Sequence, residues 1–228
     1  MPKENIAITA IQKCKPFVSL RPSEVQTVAA HAKHFSFERG DTVFQSGDDS
    51  DCVFILTEGW AVLSHRENNK RAIIEMIWPD EVFGQCSLIH ADRREATCEV
   101  PKSASVIRIP LGVLSDVMNN NPRFARDLME DVGRSMRRLA YRLVSVLIRP
   151  KRQRLVDVLR HLAQSKGVTC DSGGVLIPAQ VTHQALGEMI GASRETVTVI
   201  LGELRREKSI DFEGRRIIVR EMPGDDVA

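Results

Sequence analysis

The chain has 228 residues, enough for two domains that each bury a core of their own. Its 32 lysines and arginines nearly cancel its 30 aspartates and glutamates, leaving a net charge of +2, so attraction to a polyanion through overall charge is excluded. The five cysteines (14, 52, 86, 98 and 170) are scattered, with no Cys-x-x-Cys and no histidine at metal spacing, and no apolar run suits a signal peptide or spans a bilayer; zinc, disulfides and a membrane anchor are set aside, and a reducing cytoplasm is expected.

Residues 1–34 read as short helices, with Ser23-Glu24 placed to cap one after Pro22. From Phe35 to about Pro110 the pattern changes to short β runs: Val43-Phe44, Val53–Leu56, Ala61–Leu63, Ile73–Met76 and Ser105–Ile109. Turn chemistry separates them at Arg39-Gly40-Asp41, Gly47-Asp48-Asp49, Glu58-Gly59, Glu67-Asn68-Asn69 and Pro79-Asp80. Short strands at even spacing predict an antiparallel barrel or jelly roll.

A long helix is predicted from about Pro122, which suits a first turn, to Ile148, just ahead of the helix-stopping Pro150. Along it Ala125, Met129, Val132, Met136, Leu139, Leu143 and Val146 recur in alternating steps of four and three, an a/d seam held for about three heptads. Such a seam serves a helix packed on its own domain or a two-stranded coiled coil; its regularity points to the coiled coil, and so to a homodimer. Charge is uneven here: Gly133–Val156 carries eight Arg or Lys residues and no acid, a local basic surface. Arg149-Pro150-Lys151 reads as a hinge. Residues 152–163 read as a helix with Leu155, Val158, Leu159 and Leu162 inward, and Val168–Ile177, around Asp171-Ser172-Gly173-Gly174, as a loop or hairpin.

The stretch Val181–Leu204 reads as two short helices joined at a glycine. The Thr182 hydroxyl suits the N-cap of the first, and Val181 and Leu186 are spaced for a hydrophobic staple. Leu186, Met189 and Ile190 share a face, and Gly191 supplies the left-handed residue that stops the helix. Ser193 caps the second helix, whose inner face is Val197, Ile200, Leu201 and Leu204. The opposite face carries Arg194, Glu195, Thr198 and Val199. Arginine donates two hydrogen bonds to guanine, and glutamate accepts one from cytosine N4. A helix-glycine-helix also occurs as an ordinary packed pair, so the spacing alone leaves the role open. Ile210, Phe212 and Ile217–Val219 flank Glu213-Gly214 as a small hairpin, with Arg205, Arg206, Lys208, Arg215 and Arg216 around it to contact phosphates or simply meet solvent.

The string Gly191-Ala-Ser-Arg-Glu-Thr-Val197, with Thr182-His183-Gln184 upstream, resembles the recognition motif of the cyclic AMP receptor/fumarate-nitrate regulator family of bacterial transcription factors. The series Gly40-Asp41, Gly47-Asp48, Gly59 and Phe83-Gly84 resembles the cyclic-nucleotide-binding β-roll of the same family. The resemblance implies an α+β chain: an effector-sensing β-roll over residues 1–118, a dimerisation helix over 119–149, and a winged helix-turn-helix over 150–228. It implies a homodimer whose paired helices, roughly 34 Å apart, read a palindrome in duplex DNA. Thr182, His183, Gln184, Ser193, Arg194, Glu195, Thr198 and Val199 would meet the DNA, and Met129, Val132, Met136, Leu139, Leu143 and Val146 the second copy. RNA polymerase is the further partner implied. The family commonly has an arginine at the position of Val199; a valine there is left with a thymine methyl or with packing.

The resemblance also places an effector site at Gly84, Gln85, Cys86, Ser87, Arg93, Arg94, Glu95 and Ala96, where a short helix and an arginine would hold an anion. Gln85 stands in place of the family's ribose-binding glutamate, and Glu95 in place of a small hydroxyl beside the phosphate. A small anion such as 2-oxoglutarate, held by Arg93 or Arg94 with help from Arg137 or Arg138, fits these departures better than cyclic AMP; a roll that takes no effector, with Arg94 in a surface ion pair, fits them equally. With Cys14 alone near the N-terminus, the iron–sulfur centre of the oxygen-sensing branch is not expected. No nucleophile elbow, metal-ligand pair or phosphate loop suggests an enzyme. The competing expectation is a cyclic-nucleotide-binding module that acts on a protein partner.

Overall fold

The structure, a computed structural model, describes residues 3–90, 92–171 and 173–220. The chain forms two units. The first takes the residues up to Lys70 together with Ile74–Leu139; the second takes Ala140 onward with the short stretch Arg71–Ile73.

The first unit opens with α1 (Lys3–Lys13), a 3-10 turn at Lys15–Phe17 and α2 (Pro22–His31). The α2 start differs from the expected one. Ser23 lies inside the helix, and Glu24 at the third helical position reaches back to the Arg21 amide (2.8 Å) and Nε (2.9 Å). Strands β1 (Lys33–Phe37), β2 (Thr42–Phe44), β3 (Cys52–Gly59), β4 (Ala61–Glu67), β5 (Lys70–Ile77), β6 (Val82–Phe83), β7 (Thr97–Glu99) and β8 (Ala104–Pro110) follow, with the short α3 (Ser87–His90) between β6 and β7. They form the sheets β1-β8-β3-β6 and β2-β7-β4-β5 of the expected roll. Lys33 and His34, expected in a helix, belong to β1, because they pair with Arg108 and Ile107 across the sheet.

Alternation along β3 and β8 builds two cores from one pair of strands. Val53, Ile55, Ile107 and Ile109 face the helices and pack with Ile11, Phe17 and Val28. Phe54, Leu56 and Val106 point the other way, into the roll, with Phe44, Phe83 and Cys98. The uninterrupted apolar run of β3 is thus a strand covered on both faces, by helices and by the second sheet.

After β8 comes α4 (Leu111–Asn120), which burial of Leu114 and Val117 anchors and which the sequence pattern had not announced. Asn121 then joins three elements: its Oδ1 accepts from the Phe124 amide at the start of α5 (Pro122–Ile148), and its Nδ2 donates to Glu24 and to the Ser19 carbonyl. The first turns of α5 bury Phe124 and Leu128.

In the second unit α6 (Lys151–Lys166) buries Leu155, Val156, Leu159, Leu162 and Ala163. Val156 completes the inner face where Val158 was expected, since positions i, i+1, i+4, i+7 and i+8 share one side of a helix; Val158 is half-buried. The turn into α6 is fixed by Arg149 with Asp157 (2.7 Å) and by Arg154 Nε donating to the Arg149 carbonyl (2.8 Å). The stretch expected as a loop or hairpin contains the strands β9 (Val168–Thr169) and β10 (Val175–Leu176), and Ser172 between them lies outside the described residues. Helices α7 (His183–Ile190) and α8 (Arg194–Arg206) and strands β11 (Ile210–Glu213) and β12 (Arg216–Val219) complete the unit, with sheet order β11-β12-β10-β9. No helix among the described residues is long and apolar enough to cross a membrane.

Candidate nucleic-acid interface and effector site

Each end of the α7–α8 pair is set by a residue within a few positions of it. Thr182 Oγ1 accepts from the Ala185 amide (3.1 Å), and Ser193 Oγ from the Thr196 amide (3.2 Å). Gly191 ends α7 at φ 67°, ψ 44°, a left-handed conformation that costs other residues more. Gly187 is required too: a Cβ there would come within 2.5 Å of the Ala192 carbonyl oxygen, so the turn passes close over α7. Leu186, Ile190, Val197, Leu201 and Leu204 are buried between the helices and the rest of the unit.

Arg194, Glu195, Thr198 and Val199 are exposed on the outer side of α8, with Thr182, Gln184 and Ser193 exposed beside them and His183 half-buried. The Glu195 carboxyl is held below its ordinary value, first by a backbone N–H of its own helix end and then by Ser193, so it stays an acceptor. The Thr198 hydroxyl is already engaged. It donates to the Arg194 carbonyl (2.9 Å) and lies 2.8 Å from His183 Nδ1. Gln184 donates to Glu188 (3.0 Å).

The cations around the hairpin divide into two groups. Arg205 and Arg220 lie near Asp211 (3.9 and 3.5 Å), and Arg216 pairs with Glu213. Arg206, Lys208 and Arg215 are exposed and form no ion pair among the described residues, so they are the cations open to phosphate.

The expected effector residues do not all converge. Gly84, Ser87 and Arg94 do: Arg94 Nη1 donates to the Gly84 carbonyl (3.2 Å) and Ser87 Oγ (3.0 Å). Its Nη2 donates to the Cys52 carbonyl (2.6 Å) and Sγ (3.3 Å), and the guanidinium lies 4.5 Å from the Phe44 ring centre. Arg94 is only 6 % exposed, no carboxylate pairs with it among the described residues, and its Nε has no hydrogen-bond partner. A side chain at Gly84 would strike the guanidinium, with a Cβ 2.6 Å from Nη1. Ser87 also bonds Ser50.

The other expected members point elsewhere. Arg93 is exposed and pairs with Asp49 (3.2 Å). Glu95 and Cys86 are exposed, and Ala96 is half-buried. Gln85 donates to Asp131 of α5 (3.3 Å), which also meets Arg134. Arg138 is taken by Glu75 (2.7 Å). Arg137 lines an open groove on the Met129 side of α5, with Ala125 and Gly133, rather than the Arg94 cradle. The aromatic wall of Phe44 and Phe54 and the Cys52 acceptors escape a sequence reading, because those residues pattern as ordinary core.

The expected seam of α5 is largely uncovered within the chain: Met129 is 71 % exposed, Met136 72 %, Leu143 61 %, Leu139 46 % and Val146 41 %, while Val132 is half-buried. Leu147, 73 % exposed and absent from the heptad reading, lies eighteen residues after Met129, five full turns along the same line.

Residues 34–121 match the cyclic nucleotide-binding domain family, and residues 153–224 match the Crp-like helix-turn-helix domain family. The chain is 23 % identical over 206 residues to a CRP-like cAMP-activated global transcriptional regulator of Mycobacterium tuberculosis, covering 90 % of this chain and 92 % of that one. It is 28 % identical over 188 residues to the global nitrogen regulator of Synechococcus elongatus, covering 80 % and 83 %. In fold it is similar to FixK2 of Bradyrhizobium japonicum, with a TM-score of 0.75, 18 % identity and 83 % and 93 % of the two chains covered. It is likewise similar to the c-di-GMP-responsive regulator CLP of Xanthomonas campestris, with a TM-score of 0.74, 16 % identity and 89 % and 100 % covered. With both domain families present in this order and a capped reading helix behind the roll, the chain belongs to the cyclic AMP receptor/fumarate-nitrate regulator family and is a DNA-binding transcriptional regulator.

Proposed function

We propose that the protein acts as a homodimer that reads a palindromic DNA site and is gated by a small anionic effector. Residues 1–118 sense, 119–149 dimerise and 150–228 read. The observation that carries the DNA half is the exposed Arg194-Glu195 pair in the first turn of a helix capped by Ser193. The apolar stripe from Met129 to Leu147 supports a second copy, since exposed apolar surface of this length is stabilised by burial. Arg94 supports the effector half: a buried cation without a counter-charge favours an incoming anion. Gln85, engaged by Asp131, offers no carboxylate to a ribose hydroxyl, which favours a carboxylate ligand such as 2-oxoglutarate over cyclic AMP. The reading makes the chain a cytoplasmic regulator that contacts RNA polymerase, with no catalytic role.

Selection of bound sequences from random duplex DNA, with and without 2-oxoglutarate and cyclic AMP, tests this. A palindrome should be enriched, and its enrichment should change with an anion. Arg194→Ala should weaken the selected site by about 1–3 kcal/mol and relax one base pair in each half. Equal binding of selected and random DNA by the parent would overturn the reading.

A further inference from the structure

The outer face of α8 changes character after its first turn. Glu195, Val199, Gly202 and Arg206 follow one another at steps of four, three and four, so they share a side, and Thr198 stands next to Val199. Polar groups able to read bases sit at its start, on Arg194 and Glu195. The next turn offers only the Thr198 hydroxyl, which is already engaged: it donates to the Arg194 carbonyl and lies 2.8 Å from His183 Nδ1. Val199 carries only methyl groups, and Gly202 carries no side chain.

Nothing among the described residues accounts for that composition. Val197 is fully buried and packs, but Val199, two residues on, is 59 % exposed. A Cβ at Gly202 would meet no atom within 4 Å, so no neighbour demands a glycine. Both residues are poor choices for an exposed helix interior: glycine costs about 1 kcal/mol against alanine, and valine roughly half that. On the edges of base pairs in the major groove, the one apolar group is the thymine C5 methyl.

Resting on the DNA-reading function proposed above, we infer that the second turn of α8 reads thymine: Val199 contacts the C5 methyl of a thymine next to the base pairs read by Arg194 and Glu195. Gly202, without a side chain, lets the helix approach the groove floor closely enough for that contact. The half-site is therefore polar-read at one end and methyl-read at the other.

The test uses the full chain and the sequence enriched from random DNA. Each thymine of one half-site is replaced singly by deoxyuridine, which removes the methyl and keeps every hydrogen-bonding group, and affinity is measured for the parent and for Val199→Ala. At one position the parent should lose about fourfold, the ~0.8 kcal/mol of one methyl-sized group converted at 1.4 kcal/mol per tenfold. Val199→Ala, which keeps only the Cβ methyl, should lose clearly less there. Because Val199 is exposed, that variant folds as the parent does. If uracil is tolerated at every thymine, or if Val199→Ala loses as much as the parent at the same position, the assignment is overturned. If no sequence is enriched at all, the DNA-reading function falls and takes the valine's role with it; enrichment followed by indifference to uracil sinks the valine's role alone.

Discussion

The Arg94 guanidinium satisfies the carbonyls of Gly84 and Cys52, so it ties the turn before α3 to strand β3. Arg94→Ala should therefore destabilise the protein by roughly 1–3 kcal/mol through acceptors left buried and unmade. Urea unfolding reads this directly, and an unchanged midpoint would show that the cradle is open to solvent. Glu24 makes a second residue-level prediction. The hydrogen bond from the Arg21 side chain, with the Arg21 amide and Asn121, holds its carboxyl at about 2, below the ordinary 4.5. A depressed carboxyl contributes stability that is complete above 4.5 and is lost as pH falls toward 2. Because Arg21 is exposed, the size is that of a helix cap. Glu24→Gln should cost about 1 kcal/mol at neutral pH, and that difference from the parent should close at the acid end. A difference that persists undiminished at pH 2 would show that the carboxylate charge is not what stabilises the cap. The family motif made Gly84, Ser87 and Arg94 legible in the sequence. Phe44, Phe54 and Cys52 were not, because an aromatic or a cysteine in a strand pattern reads as core whether or not it also stacks on a cation.

At the scale of elements, α8 trades helix stability for its outer surface. Gly202→Ala should raise the melting temperature, since the substitution adds helix propensity worth up to about 1 kcal/mol and meets no neighbour. The same methyl would stand between the helix and the groove floor, so specific affinity should fall as stability rises. A variant both more stable and equally tight on the selected site would argue against close approach at that position. Caps and turns made this element readable in advance: Thr182 and Ser193 accept from amides three residues on, and Gly191 ends α7 by its own left-handed backbone. α4 was unreadable by comparison. Its capping residue is Pro110, its side chains make no cap bond, and burial against the sheet and the other helices holds it.

For the whole molecule, the stripe on α5 is the feature that one chain does not satisfy. Leu143→Glu puts a charge at a position that is 61 % exposed, so the fold should survive and self-association should weaken. Sedimentation should show monomers with unchanged circular dichroism; a dimer that persists would move the interface off this stripe. The sequence by itself determined the order of roll, long helix and helix-turn-helix, because glycine turns, heptads and caps are local and each acts over a few residues. Tertiary structure alone decided which groups remain available to a ligand. Arg94 reaches Cys52 across 42 residues, Thr198 is engaged by His183 across 15, and β3 is covered on both faces by elements on either side of it in the chain. Such pairings depend on how strands and helices are brought together in space, and a local pattern of residues carries no record of them.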